Sequence, residues 1–254
     1  MNLAIPSVLI TGGAKRIGAR LARAFAAAGW HVVIHYGRSR DDAEALAASL
    51  PSARTAGCDL ADADAAAAMI KGLAGELGNW PLLINCAAVF CEDTGERIDH
   101  GVFAEAMAVN VEAPVRMAQA FLAQARAKVG RRVIQILDMK IANPNPDFFS
   151  YSLSKNALAA SVKTLAMAAN NPADRIYGLA PGAILPSHDQ RPEEHSASGA
   201  MNLLGRITAP EELAEAALFL AQGWLESGET LFVDSGQHLM AQPRDVLFLA
   251  RGLS

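Results

Sequence analysis

The feature that most constrains the fold of this chain is the alternation of short apolar runs with alanine-rich helical stretches. Runs rich in Val, Ile and Leu have the length of strands, and helical periodicity fills most of the segments between them. The predicted strands are Ser7–Thr11, His31–Tyr36, Arg54–Cys58, Pro81–Cys86, Val133–Leu137, Arg175–Ala180 and Thr230–Val233. Such strands, joined by helices, are typical of a parallel sheet covered on both faces. We therefore predict a single doubly wound α/β (Rossmann) domain over residues 1–254, with about seven parallel strands.

The helical stretches have apolar residues along one face and stop at small residues or prolines. They are Ile17–Ala28, Asp41–Leu50, Asp62–Leu77, Phe103–Val109, Ala113–Lys128, Tyr151–Ala169 and Pro210–Gln222. Residues 183–209 have weak periodicity and include Pro186, Pro192 and Gly199, and their length predicts a substrate lid. Within it, we interpret His188 as a solvated loop histidine, with substrate contact as the alternative. Residues 240–254 form a carboxyl-terminal tail.

Composition excludes several classes of protein. The chain of 254 residues is 52% hydrophobic and 19% charged, so it can bury a substantial core. A net charge of −4 argues against a broad nucleic-acid or anionic membrane surface. The three cysteines form no CxxC pair and the six histidines have no metal-binding spacing, so we expect a metal-free protein of the reducing cytoplasm. The amino terminus does not predict a signal peptide, and no apolar stretch approaches the roughly 20 residues of a membrane span.

A glycine-rich turn follows the first predicted strand. It reads Thr11-Gly12-Gly13-Ala14-Lys15-Arg16-Ile17-Gly18 and leads into the first predicted helix. Glycines there let the backbone approach a pyrophosphate, and the helix amino terminus supplies free N–H groups. A glycine loop alone is weak evidence, but its position in the first βα turn predicts a dinucleotide site.

The end of the second strand indicates which dinucleotide binds. An acid there would hold the ribose 2′-hydroxyl of NAD, whereas this chain has Arg38, Ser39 and Arg40. A guanidinium and a hydroxyl suit a 2′-phosphate, so we predict NADPH; the alternative is a solvated basic turn. Asp59 and Leu60, after the third strand, are placed to meet the adenine.

The segment from Asp138 to Lys155 carries the predicted chemistry. Asp138 ends an apolar strand at the sheet edge where ligands of α/β proteins bind. Tyr151 and Lys155 are four residues apart, so on a helix they share one face. A nearby ammonium lowers the pKa of a phenol, which predicts that Tyr151 is a proton donor. The alternative for Asp138 is a helix or loop cap on Asn143–Asp147.

With these residues in hand, the chain resembles the short-chain dehydrogenase/reductase family from end to end. The motifs are the TGxxxxxG turn, Asn85-x-Ala87, Asn110, Tyr151-x-x-x-Lys155, Pro181-Gly182 and Val233–Gly236. More narrowly, it resembles the pteridine reductase and dihydromonapterin reductase branch. Features of that branch are Arg16 within the turn, an HYxRS-like sequence at His35–Ser39, Asp138 in place of the usual serine, Phe90, and the PGAIL sequence of Pro181–Leu185.

The resemblance implies a set of site residues. The implied catalytic residues are Tyr151, Lys155, Asp138 and Asn110. The implied cofactor-binding residues are Gly12, Lys15, Arg16, Ile17, Gly18, Tyr36, Arg38, Ser39, Asp59, Leu60, Asn85, Cys86, Ala87, Tyr151, Lys155, Pro181, Gly182 and Ile184. The implied substrate-binding residues are Arg16, Phe90, Asp138, Tyr151 and Leu185.

The resemblance also implies roles. NADPH would deliver a hydride to a C=N carbon of a dihydropterin-like ring, and Asp138 and Tyr151 would protonate the adjacent nitrogen. Lys155 would hold the nicotinamide ribose, Asn110 would anchor a relay water or only tie backbone groups, and Phe90 would stack on the pterin or pack in the core. The resemblance further implies a homotetramer, in which the long predicted helix from Tyr151 and the apolar run Val246–Leu249 would pack against neighbouring subunits.

Several residues depart from the branch pattern and leave alternatives open. Cys86, Ala88, Val89 and Ser235 stand where relatives usually carry other residues, and the tail continues beyond the usual end. One alternative function is a carbonyl reductase acting on ketones or 3-oxoacyl substrates. The other is a catalytically silent NADPH-binding sensor.

Overall fold

A seven-stranded parallel sheet forms the centre of the protein, which we describe from a computed structural model covering residues 5–187 and 189–253. The strand order is β3-β2-β1-β4-β5-β6-β7. The strands are β1 (Ser7–Ile10), β2 (His31–Tyr36), β3 (Ala53–Gly57), β4 (Leu82–Asn85), β5 (Arg132–Ile136), β6 (Arg175–Pro181) and β7 (Thr230–Val233). The predicted single doubly wound domain with a seven-stranded parallel sheet is therefore confirmed.

The order of the strands creates a crevice at the carboxyl edge of the sheet. The chain runs outward from β1 to β2 and β3, returns to β4 on the other side of β1, and continues to β7. The loops after β1 and β4 therefore diverge to opposite faces of the sheet. In open α/β sheets, ligands bind at this switch point.

Helices cover both faces of the sheet. They are α1 (Arg16–Ala27), α2 (Arg40–Ala48), α3 (Ala63–Glu76), α4 (His100–Met107), α5 (Ala113–Gln124), α6 (Phe149–Ala168), α7 (Pro192–Gly199), α8 (Pro210–Gln222) and α9 (Val246–Ala250). A core layer lies on each face: α1 and α8 contribute to one, and α3, α5 and α6 to the other. In residues 5–187 and 189–253, no helix combines the length and apolar character that crossing a membrane requires.

Predicted element boundaries fail where tertiary contacts intervene. Helix α5 ends at Gln124 instead of the predicted Lys128. The carbonyl of Arg126, beyond this end, accepts a hydrogen bond from the backbone N–H of Trp80. Trp80 is fully buried and packs edge-on against Phe121 on α5, with ring centroids 4.9 Å apart. This long-range packing overrides the helical propensity of the last predicted turn.

Two short helices, α7 and α9, were absent from the sequence prediction. Helix α7 lies within the predicted lid, where Pro192 occupies the first turn and Glu194 accepts a hydrogen bond from the backbone N–H of Arg191. Helix α9 lies in the tail and is capped by Asp245, whose carboxylate accepts from the N–H of Leu247. Isolated helices this short are unstable in water. Packing between α7 and α9 supplies what local propensity lacks.

Candidate active site

The switch point is fastened by a threonine between two loops. The hydroxyl of Thr11, directly after β1, accepts hydrogen bonds from the backbone N–H groups of Cys86 (2.8 Å) and Ala87 (3.0 Å), directly after β4. Thr11 is 1% exposed, so these bonds are shielded from water. The glycine turn and the predicted nicotinamide end of the cofactor site are therefore one rigid unit.

The glycines of the turn permit contacts that any side chain would prevent. A Cβ on Gly18 would lie 2.2 Å from the carbonyl oxygen of Gly12. Gly12 itself has a positive φ of 60°, which other residues rarely adopt. The turn therefore packs directly on helix α1, and it leaves the first N–H groups of that helix facing the crevice.

Arg16 begins α1 and reaches across the crevice to the lid. Its backbone has a φ of 50°, and its guanidinium donates to the carbonyl of Pro186 at 2.8 Å. The predicted cofactor residue Lys15 instead points outward, where it forms an exposed ion pair with Asp42 at 2.9 Å. Ile17 and Arg16 both line the cavity described below.

His35 connects the glycine turn to the loop after β3, a role that the sequence analysis missed. Its Nδ1 accepts from the N–H of Gly12 (3.2 Å), and its Nε2 donates to the carbonyl of Cys58 (3.0 Å). Burial lowers the pKa of His35 to about 4, so the imidazole is neutral at physiological pH, as this bonding pattern requires. Its inward position on a strand that leads to the cofactor turn was the only signal in the sequence.

The adenine end lies where β2 and β3 stop. Tyr36 is 8% exposed and packs on Gly57, where a Cβ would lie 2.7 Å from the phenol oxygen. Beyond it, Arg38 is exposed and Ser39 occupies the N-cap position of α2. Asp59 folds back to accept from the N–H of Ala61 at 3.0 Å, and Leu60 beside it is buried. The predicted residues of this end therefore gather around one rim of the crevice.

Asp138, Tyr151 and Lys155 lie together at the carboxyl end of β5. The phenol of Tyr151 donates to Asp138 Oδ2 at 2.7 Å, and the N–H of Lys140 donates to Asp138 Oδ1 at 2.9 Å. Lys155 lies one turn further along α6, and its Nζ donates to the carbonyl of Ile136 at 2.7 Å. Asp138 caps the short 3₁₀ turn at 139–141 and not the segment 143–147 named in the alternative, and its other carboxylate oxygen accepts from Tyr151.

The pKa of Tyr151 shifts in the opposite direction from the sequence prediction. Burial, followed by the neighbouring Asp138 carboxylate, raises the pKa of Tyr151 well above its ordinary value, whereas the spacing had predicted a lower one. Lys155 Nζ lies 5.7 Å from the centroid of the Tyr151 ring and donates its hydrogen bond to the carbonyl of Ile136. Burial also raises the pKa of Asp138 and lowers that of Lys155 to about 8. Tyr151 therefore keeps its proton at neutral pH.

Asn110 lies in a π-helical turn, 108–112, between α4 and α5. Its side-chain oxygen accepts from the N–H of Val89 (2.8 Å), and its amide nitrogen donates to the carbonyl of Val89 and to the hydroxyl of Ser154, both at 3.0 Å. Asn110 therefore ties the loop after β4 to α6, which is the backbone role we considered. The water relay stays a prediction.

Asn85 and Cys86 face inward. The Asn85 amide donates to Gln135 Oε1 (2.9 Å) and to the carbonyl of Pro114 (3.2 Å), and the residue is 3% exposed. Burial raises the pKa of Cys86 to about 11, so its thiol stays protonated and packs against the core. In residues 5–187 and 189–253, no group of three or more His, Cys, Asp or Glu side chains could hold a metal ion.

A cavity of about 350 Å³ opens above Asp138 and Tyr151. It is lined by all five predicted substrate residues, which are Arg16, Phe90, Asp138, Tyr151 and Leu185, and by the predicted cofactor residues Ile17, Pro181, Gly182 and Ile184. A Cβ on Gly182 would lie 2.5 Å from Gln237 Oε1, and that oxygen accepts from the N–H of Ala183 at 2.9 Å. Gln237 thus sets where the chain leaves β6 for the lid.

Phe90 is a wall of the cavity and not a core residue. Its side chain is 42% exposed, its ring stacks on Phe148 with centroids 4.1 Å apart, and it meets the Tyr151 ring edge-on at 4.7 Å. The exposed face of an aromatic ring beside a proton-donating phenol suits a planar ring as ligand.

The tail contradicts one prediction. The apolar run Val246–Leu249 was predicted to pack against neighbouring subunits, yet Val246, Leu247 and Phe248 are buried against their own chain. Leu247 and Phe248 form a small core with Phe148 and Tyr151, and Asp245, Val246 and Leu247 line the cavity. Sequence reasoning missed these contacts because the partners are about a hundred residues away. His188 of the predicted lid lies outside the described residues.

A family profile and a solved structure each match most of this chain. The family profile described as Enoyl-(Acyl carrier protein) reductase matches residues 12–238. The chain superposes on FolM alternative dihydrofolate reductase 1 from Brucella canis, complexed with NADP, with a TM-score of 0.87, 32% identity, and coverage of 96% of this chain and 98% of that one.

Relatives by sequence have more varied names. Short-chain reductase protein NovJ from Streptomyces niveus is 28% identical over 90% of this chain and 92% of its own. Pteridine reductase 1 from Leishmania tarentolae is 25% identical over 92% of this chain and 96% of its own. The profile match, the FolM superposition and the Tyr151–Lys155 pair at the carboxyl end of β5 together establish that this chain belongs to the short-chain dehydrogenase/reductase family.

Proposed function

We propose that the protein is an NADPH-dependent reductase of a C=N bond in a pterin-like ring, converting a dihydropterin to a tetrahydropterin. The observation that carries this proposal is the hydrogen bond between the Tyr151 phenol and the Asp138 carboxylate on the cavity wall. The pteridine reductase and FolM relatives favour the same substrate class.

The residues of the crevice fit a dinucleotide with a 2′-phosphate. The glycine turn and the first N–H groups of α1 would hold the pyrophosphate. Arg38 and Ser39 would hold the 2′-phosphate, since the end of β2 carries no acid to bind a free 2′-hydroxyl. Lys155 would hold the nicotinamide ribose. NADPH, when bound, supplies the hydride, and the FolM structure complexed with NADP supports this choice.

The proton would come from the pair of Tyr151 and Asp138. Burial raises the pKa of each group, so Tyr151 is neutral and a larger fraction of Asp138 is protonated near pH 7 than in water. A ring nitrogen is basic enough to take a proton from a carboxyl group with a raised pKa. An ionised carboxylate beside a ketone would instead repel the developing alkoxide. Asp138 therefore favours an imine over a carbonyl substrate.

The walls of the cavity suit a flat heterocycle. Phe90 would stack on one face of the ring, and Leu185 and Arg16 would border its edges. A volume of about 350 Å³ lies at the small end of the range for ligand sites, which fits a bicyclic ring better than a long acyl chain.

The test is initial-rate NADPH oxidation with a 7,8-dihydropterin and with a simple ketone, in the wild type and in Asp138→Ser. We expect dihydropterin turnover in the wild type and a fall of about 100-fold in the variant, within the usual range for a general acid. Ketone turnover should stay low in the wild type. A wild type that reduces the ketone faster than the dihydropterin would overturn the proposal.

We also propose a cytoplasmic homotetramer with α6 at a subunit contact. Leu153 and Met167 on α6 are large apolar side chains that are 43% and 79% exposed, respectively, in this single chain. Such exposure favours a protein contact. Multi-angle light scattering at micromolar concentration tests the assembly, and a monomer mass would refute it.

A further inference from the structure

The residues from 240 to 253, called the strap below, cross the substrate cavity of their own chain. Asp245, Val246 and Leu247 line the cavity, and Leu247 packs with Phe148 and Tyr151. The sequence analysis expected the apolar run in this segment to lie at a subunit contact. Its position suggests a part in substrate selection.

Two ion pairs hold the strap beside Asp138 and Tyr151, and the first of them is buried on both sides. Lys140 Nζ lies 2.6 Å from Asp245 Oδ2, and the two side chains are 6% and 11% exposed. Arg244 Nε lies 2.9 Å from Asp147 Oδ2, which also accepts from the N–H of Asp245 at 2.7 Å. Breaking one partner of a buried pair leaves an uncompensated charge, which is strongly unfavourable. The strap therefore docks in one position.

Lys140, which pairs with Asp245 of the strap, also contacts Asp138. Lys140 holds Asp245 with its ammonium while its backbone N–H holds the Asp138 carboxylate at 2.9 Å. At the far end of the strap, Arg251 pairs with Asp189 at 3.0 Å and with Glu194 at 3.3 Å, both in the lid. Strap and lid are thus one cover over the cavity, anchored at Lys140.

We propose that the strap is a specificity-determining wall of the substrate cavity, positioned by the Lys140–Asp245 pair, and that Leu247 limits the size of the ring substituent. The inference rests on the proposed function for the identity of the ring. It predicts a preference for dihydropterins with a short 6-substituent over dihydrofolate, whose 6-substituent is a long aminobenzoyl-glutamate.

The docking of the strap is tested without any substrate by limited trypsin digestion of the full chain, following cleavage after Arg244 by mass spectrometry. We expect Asp245→Asn to be cleaved there at least about tenfold faster than the wild type, because Lys140 loses its buried partner. Asp245→Glu and the double variant Lys140→Met/Asp245→Asn should restore part of the protection. Equal cleavage of wild type and Asp245→Asn would overturn the docked strap.

The wall is tested with two leucines of the same helix. Leu247 lines the cavity, whereas Leu249 does not, and truncation to Ala removes the same atoms from each. We expect Leu247→Ala to raise the kcat/KM ratio of dihydrofolate to 6-methyl-7,8-dihydropterin by about fivefold or more, and Leu249→Ala to change it by less than about twofold. Equal ratios in the two variants would refute the role of Leu247. Absence of any dihydropterin turnover, with a protected strap, would refute the proposed substrate and leave the docking result standing.

Discussion

The cofactor side and the substrate side of the crevice are built by different means. On the cofactor side, the turn at 11–18 uses backbone N–H groups, glycines and the neutral His35, all on strand ends of the sheet. On the substrate side, the lid (183–209) and the strap (240–253) are held by ion pairs between segments far apart in the chain. The first side depends on backbone geometry, which few residues permit. The second depends on side chains, which can change without altering the sheet.

This difference indicates how one fold can keep its cofactor while its substrate varies. Of the two sequence relatives named above, one is called a pteridine reductase and the other only a short-chain reductase. We infer that the lid and the strap set the substrate selectivity of this chain.

The largest expected effect is a fall in kcat without a matching loss of NADPH affinity. Tyr151→Phe removes the proton donor but keeps the ring that packs with Phe90 and Leu247. We expect kcat for the dihydropterin to fall by roughly 10²–10⁴-fold while the NADPH dissociation constant changes by less than about threefold. Stopped-flow turnover and NADPH fluorescence titration measure the two quantities. Unchanged kcat would refute Tyr151 as the donor.

The next effect concerns the stability of the cofactor side. The pKa of His35 is about 4 in the folded chain and about 6.5 when exposed, so the unfolded state binds the proton first as pH falls. The neutral imidazole therefore contributes stability above about pH 6.5, and that stability is lost as pH falls toward 4, by about 3 kcal/mol in total.

Urea unfolding at pH 7.5 and pH 4.5 checks this for the wild type and His35→Gln. The wild type should lose more stability on acidification than the variant, since His31 and His195 titrate in both. Equal losses would show that His35 does not carry the pH dependence of the glycine turn.

A smaller effect tests whether the two sides are separable. Arg38→Leu removes the guanidinium that we assign to the 2′-phosphate. We expect NADPH affinity to fall by about 10- to 100-fold, the usual loss for one charge-assisted hydrogen bond, with NADH affinity unchanged. The dihydropterin-to-ketone preference should not move. A change in that preference would break the proposed division of the site.

The smallest effect is expected from a control variant that lies outside both the cofactor side and the substrate side of the crevice. Asp99 caps α4 by accepting from the N–H groups of Gly101 (2.8 Å) and Val102 (3.0 Å). Asp99→Ala should lower the melting temperature slightly, because the first turn of α4 loses its cap, and leave cofactor affinity and substrate preference unchanged. Thermal unfolding and the steady-state assay measure both. Altered preference in this variant would mean that general loosening, and not the strap, sets selectivity.

Local sequence patterns predicted the sheet and most of the helices, because hydrophobic periodicity and residue composition depend only on a few neighbouring residues. The sequence predicts the glycine turn and the Tyr151–Lys155 spacing, and the five predicted substrate residues all line the cavity. Helix α9 and the end of α5 could not be predicted, since packing against distant segments decides both.

The sequence by itself determined the fold class, the glycine turn after β1 and the spacing of Asp138, Tyr151 and Lys155, because each depends on neighbours in the chain. Only the tertiary structure decided that the pKa of Tyr151 rises, that His35 joins two loops, and that the strap covers its own cavity. Burial sets that pKa, and contacts such as Asp245 to Asp147 join residues 98 positions apart. Neither burial nor such a contact has a local signature, so both emerge only when the chain is packed.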